Sequence, residues 1–206
     1  MKIWGRRNSS NVQKVLWAAS ELGLAFDHVE VGGSFGGNRE PSYLALNPNG
    51  LVPAIQDGDL VLWESNAIVR YLSAKFGAGM LEPSAPEIKA RADQWMDWQL
   101  STLGPPMVTA YWGLIRLPPE KRDNAAIAAA KTQLDGAMKI LDGQLGKTKF
   151  VAGDIFSMGD IPAAIMAHRY RHLFPDRPEL PNLERWYASI SGRPPFRRSV
   201  AAVPMT

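Results

Sequence analysis

Cysteine is absent from the 206 residues. That excludes structural disulfides, cysteine-thiolate catalysis and a Cys-x-x-Cys redox pair. Histidine is scarce, with three in the chain. His28, His168 and His172 share no metal-ligand spacing with one another or with clustered carboxylates, so no metal site is expected. No run of about eighteen apolar residues occurs, which leaves no candidate membrane span. Neither sign of charge dominates, with 23 Lys and Arg against 20 Asp and Glu and a net charge of +3. No basic run or aromatic-interleaved patch accompanies that balance, so nucleic acid is not an expected partner. Met1 to Trp4 lead straight into patterned sequence with no signal-peptide pattern, and a cytoplasmic location is the expectation.

What is present has the balance of a globular protein, at 46% hydrophobic residues with 18 Gly and 16 Pro. Lys2-Ile3-Trp4 reads as a strand and Gly5 to Ser10 as a polar loop. Ser10 and Gln13 have capping-box spacing ahead of Val12, Val15, Leu16, Ala19 and Leu22, with Gly23 placed to stop the helix. Phe26 to Val31 is a second strand, followed by a glycine-rich loop around Phe35, a short helix from Glu40 to Leu46, and a turn at Asn47-Pro48-Asn49-Gly50. Val52 to Ile55 and Leu60 to Leu62 form a hairpin about Asp57-Gly58. Pro53 marks its first strand either as an edge or as a place of special backbone geometry. Ser65 then caps a helix carrying Ala67, Ile68, Tyr71 and Leu72.

Residues 77–86 break all periodicity. The expected division is a mixed domain over 1–79, a linker over 80–86 and a helical domain over 87–206. Ser84 and Glu87 form a second capping box around Pro86. An apolar stripe from Ile88 to Met107 predicts a long helix that Gly104-Pro105-Pro106 must bend or end. A second stripe runs from Ile127 to Leu145. Ser157 with Asp160 caps a third helix, and Asn182 opens a fourth.

Three stretches carry a resemblance. Asn47-Pro48-Asn49-Gly50-Leu51-Val52-Pro53-Ala54, followed by Asp57 to Ile68 with Glu64-Ser65 inside it, resembles the glutathione-binding signature of the cytosolic glutathione transferase family. Gly5 to Leu16 resembles the catalytic loop and first helix of its serine-type members, near the theta, phi and bacterial theta-like classes. Phe156 to Ile161 resembles the capping box and staple of the family's buried second-domain helix. The resemblance implies a thioredoxin-like N-terminal domain followed by an all-helical one, glutathione as co-substrate, a small hydrophobic electrophile as the other partner, and a homodimer, with Phe35 a candidate intersubunit anchor.

Residue by residue, the resemblance makes Pro53 a cis-proline that turns the Val52 backbone toward the cysteinyl part of glutathione. It makes Ser65 and its amide the holders of the gamma-glutamyl carboxylate, and Glu64 either the partner of the ammonium or a residue that orients the pocket. On pattern alone Ser65 is an N-cap and Glu64 a first-turn acid. Arg39 is the candidate for the glycyl carboxylate, against an ordinary solvent-facing role.

The chemistry required is a thiolate. A thiol near pKa 8.5 is a few per cent ionised at neutral pH, and lowering it by two units takes about 2.7 kcal/mol, within reach of one or two hydrogen bonds and a helix dipole. A hydroxyl donor suffices. Ser9 is the first choice by register with the family, Ser10 competes while having its own capping duty, and Asn11 is a possible amide donor. The three also read simply as a polar turn. No tyrosine stands near Trp4, so tyrosine-type activation is not expected. Met107, Tyr111, Trp112 and Arg116 are the expected walls for the electrophile, against plain core packing. Glutathione-dependent peroxidase, isomerase or lyase chemistry would use the same sulfur. A non-enzymatic binding protein on this scaffold is the alternative from another class.

Overall fold

The computed structural model describes residues 1–206. It divides into two compact units, Met1–Glu82 with Pro194–Pro204, and Pro83–Arg193 with Met205–Thr206. No helix is long and apolar enough to cross a membrane.

The first unit contains β1 (Lys2–Trp4), α1 (Ser10–Glu21), β2 (Asp27–Val29), α2 (Pro41–Leu44), β3 (Ala54–Asp57), β4 (Leu60–Trp63) and α3 (Ser65–Phe76). Its sheet runs β2-β1-β3-β4, with β1 parallel to β2 and antiparallel to β3, and β3 antiparallel to β4. A parallel pair needs a crossover, and α1 supplies it. The thioredoxin-like order expected for this half is therefore present.

Two local expectations change. β3 lies inside the sheet, so Pro53 does not mark an edge strand; it stands one residue before the ladder, where its missing N–H costs no strand pairing. The capping box at Ser10 does not form. Ser9 is the N-cap of α1, Gln13 N donates to its carbonyl, and Ser10 is already the first helical residue.

Val12 to Ala19 are buried without a gap, a helix covered all round rather than along one stripe. Part of the cover comes from α9 (Pro194–Phe196) and the π turn Arg197–Ala201 that follows it, where Phe196 meets Trp17 edge-on at 4.9 Å between ring centroids. Residues 194–204 thus pack with the first unit, where the expected division places everything from 87 onward in the second. Short-range periodicity carries no information about which distant helix a tail will cover.

The second unit is helical: α4 (Pro86–Trp98), α5 (Gly104–Tyr111), α6 (Asn124–Leu145), α7 (Asp160–Leu173) and α8 (Pro181–Ser191). Gly104-Pro105-Pro106 does not end the helical path. A π turn over Gln99–Leu103 joins α4 to α5, and the last donor before the prolines, Gly104 N, reaches Gln99 O. Widening the turn absorbs the two missing donors. The N-cap of α4 is Ala85 rather than Ser84, with no side-chain cap bond.

Ser157 and Asp160 do bond, but Ser157 does not cap the helix: the N-cap of α7 is Gly159, with no side-chain cap bond, and Asp160 is the first helical residue. Asp160 Oδ2 accepts from Ser157 N at 3.0 Å, and Oδ1 accepts from Val151 N at 3.0 Å and Trp186 Nε1 at 2.9 Å. Burial raises its carboxyl to a pKa of about 6 against these lowering bonds. Pro162, two residues on, sits among the first residues of α7, whose amides have no intrahelical acceptor in any case.

Candidate functional site

The site in the first unit begins at Gly5. Its φ is +144°, and a β-carbon there would stand 2.4 Å from Val12 Cγ2 and 3.1 Å from Val52 Cβ. Only glycine lets the end of β1 lie this close to both α1 and Val52. Gly5 N and Arg6 N then donate to Val29 O and Val31 O, both at 2.9 Å, which fixes the loop leading into α1.

That loop delivers Ser9 to the start of α1, 9% exposed. A serine at an N-cap ordinarily gives its oxygen to an amide of the first turn. Ser9 does not: it makes no side-chain cap bond, and its hydroxyl remains uncommitted within the chain at the positive end of the helix dipole. Ser10 is half-buried and Asn11 exposed, so neither is spent on the core.

Opposite lies the turn before β3. Asn47 Nδ2 and Tyr43 Oη donate to Leu51 O at 2.8 and 2.6 Å, and Asn49 N donates to Asn47 Oδ1 at 3.1 Å. Burial pushes the Tyr43 phenol up to about 12, keeping it a donor throughout the neutral range. The Val52–Pro53 bond is cis. With Leu51 O doubly bonded and the ladder starting at Ala54, Val52 N–H and C=O are left without a hydrogen bond in the chain, open to an added extended peptide.

Arg39 lies over the same turn, exposed, with Nη1 donating to Asn49 O at 3.3 Å, while Asn38 Nδ2 donates to Gly50 O at 2.8 Å. Gly50, at φ +62°, admits this approach, since a β-carbon would stand 2.7 Å from Arg39 Nη1.

Glu64 and Ser65 open α3. Glu64, exposed, is the N-cap and has φ +72° and ψ +110°, a positive φ found at no other non-glycine residue. Such backbone costs about 1–3 kcal/mol and persists where the surroundings impose it. Ser65 is buried and donates from Oγ to Asn11 Oδ1 at 3.3 Å, so the two expected ligand-binding stretches meet through these side chains.

The four expected electrophile walls lie in the second unit. Met107 and Tyr111 are buried, whereas Trp112, 58% exposed, and Arg116 face outward. Two guanidinium groups lie near the Tyr111 ring, Arg169 at 4.2 Å and Arg116 at 5.9 Å from its centre, and Tyr111 donates to Thr206 O at 3.1 Å.

Family models decide the kinship. One described as the glutathione S-transferase N-terminal domain matches residues 1–74, and one described as the C-terminal domain matches residues 124–189. The chain is 44% identical over 200 residues to glutathione S-transferase GstB of Escherichia coli (strain K12), with 96% of each chain covered. The chain belongs to the glutathione S-transferase family. Its backbone is similar, at TM-score 0.95 and 49% identity over 100% of this chain and 98% of the other, to the theta class glutathione S-transferase of Xanthomonas axonopodis pv. citri with glutathione bound. A plant relative, glutathione S-transferase 3 of Zea mays, is 31% identical over 214 residues, covering 100% of this chain and 95% of that one.

In this glutathione S-transferase family member, Lys14 joins the site without being expected there. A lysine on a helix reads as solvated, yet Lys14 is fully buried, with Nζ donating to Ser65 Oγ at 3.4 Å. The spacing of Asn11, Lys14 and Ala18 along one helical face was the available signal. Asn47, part of the signature stretch, is also a clamp on Leu51.

Proposed function

We propose that glutathione binds along the Val52 edge with its sulfur at Ser9, and that the protein is a glutathione transferase. The thiolate attacks a small hydrophobic electrophile, the new bond forms to sulfur, the leaving group departs with its electron pair, and the thiol proton goes to solvent. The observation that carries this reading is the hydroxyl of Ser9, held at a helix start and given no acceptor by the protein. A hydroxyl so placed donates to an anion and lowers the pKa of the thiol that becomes it.

The remaining roles follow from position. Val52 N–H and C=O pair with the cysteinyl unit. Ser65 and its amide, at the positive end of α3, receive the gamma-glutamyl carboxylate, and Glu64 receives the ammonium. Arg39 serves the glycyl carboxylate, Asn11 is a second donor to sulfur, and Ser10 is an N1 residue beside them. Met107, Tyr111, Trp112 and Arg116 form the electrophile side. A cytoplasmic homodimer that binds neither nucleic acid nor membrane completes the proposal.

The test is glutathione-dependent turnover over aromatic halides, epoxides, isothiocyanates and organic peroxides, for wild type and Ser9→Ala. Conjugation of a halide or epoxide that falls at least tenfold in Ser9→Ala supports transfer. Turnover confined to peroxides assigns a peroxidase, and no turnover with intact glutathione binding assigns a binding protein.

A further inference from the structure

Lys14 is the fully buried cation of α1, and its ammonium has three hydrogens to donate and no means of accepting. Its bond to Ser65 Oγ, at 3.4 Å, therefore has one direction. Ser65 Oγ, already accepting, has a single hydrogen, and gives it to Asn11 Oδ1 at 3.3 Å. That in turn settles the amide of Asn11. With Oδ1 turned to Ser65, the Nδ2 hydrogens point away, and no group of the chain accepts them.

We infer that Lys14 is a positioning residue for the transfer reaction, acting through Ser65 to orient and polarise the Asn11 amide toward the thiolate. The inference rests on the reading of the site given above. Hydrogen bonds in a chain strengthen one another, and a charge at the buried end strengthens every link. The chain also joins the places assigned to two parts of the bound peptide. Ser65 is placed for the gamma-glutamyl carboxylate and Asn11 for the sulfur. Ser65 has one hydroxyl hydrogen, so the carboxylate is met by the Ser65 amide while that hydrogen stays bonded to Asn11 and the chain from Lys14 is unbroken.

A purely structural lysine would affect stability, and activity equally in any background. A relay makes a different demand, which a double-mutant cycle reads. Lys14→Met is expected to lower kcat for conjugation about tenfold in the otherwise wild-type chain, the worth of one charge-assisted hydrogen bond. In an Asn11→Ala background the same substitution is expected to lower it less than about threefold, since the relay then has no end. Lys14→Arg, which restores a cationic donor, recovers most of the loss.

Equal losses in both backgrounds, or no loss in either, overturn the inference. Should Lys14→Met fail to fold, Ser65→Ala removes the middle link, and the cycle is run between Ser65 and Asn11. Coupling in kcat supports the relay, whereas an effect on the KM for glutathione alone overturns it. Wild type without glutathione turnover would instead sink the functional reading itself, so the two failures are told apart.

Discussion

Gly5 and Val12 approach so closely that a β-carbon on Gly5 would overlap the valine, at 2.4 Å from Cγ2. The same carbon would press on Val52 at 3.1 Å, so one glycine sets the spacing between the Ser9 loop and the Val52 edge. Gly5→Ala is expected to destabilise the fold by about 2–4 kcal/mol, since a non-glycine residue is strained at this φ and neither neighbour can withdraw freely. Thermal unfolding should show a Tm lower by roughly 5–10 °C, with glutathione affinity reduced in the protein that remains folded.

Glu64 shows the opposite trade. Its positive φ is one that glycine adopts at no steric cost. Glu64→Gly should therefore leave the Tm unchanged or raise it, while raising the KM for glutathione at least fivefold through loss of the carboxylate. Glu64→Ala should give the same KM without the gain in Tm. Parallel melting curves and glutathione titrations of the two variants check this; a stability loss in Glu64→Gly would contradict it.

Two buried groups of α7 give opposed pH dependences. The carboxyl of Asp160 is raised from 3.8 to about 6 by burial. The folded chain keeps this proton where the unfolded chain has lost it, so the contribution to stability falls as pH rises from about 4 to about 6. His168 is lowered from 6.5 to about 4, first by burial and then by His172, Arg169 and Arg171. Its contribution is fully present above about 6.5 and is lost as pH falls toward 4. Over pH 4–6 the two nearly offset. The Tm difference between wild type and Asp160→Asn should shrink as pH rises through this window, and that between wild type and His168→Gln should grow. Differential scanning calorimetry across pH 4–7 reads both.

Much of the first unit was legible because its residues carry their own backbone requirements. Pro53 after Val52, the turn residues at 47–50 and 57–58, and the strand-loop-helix order at the start all act locally, and the ladder and the cis bond match them. What escaped depends on distant partners. Ser9 rather than Ser10 caps α1 because the loop is fixed by bonds from Gly5 and Arg6 to Val29 and Val31, which a capping-box spacing cannot foresee. Lys14 is buried because α3 supplies Ser65 against it, and Phe196 belongs with Trp17 because a tail returns to α1. In each case the residue's own propensity pointed to the wrong environment and tertiary contact overrode it.

The ionisation of bound glutathione tests the central claim most directly. Ultraviolet difference spectra at neutral pH, with glutathione saturating, should show a thiolate band in wild type that is lost in Ser9→Ala while the Kd for glutathione changes less than about threefold. A band of equal size in Ser9→Ala, or none in wild type with the tripeptide bound, would contradict it.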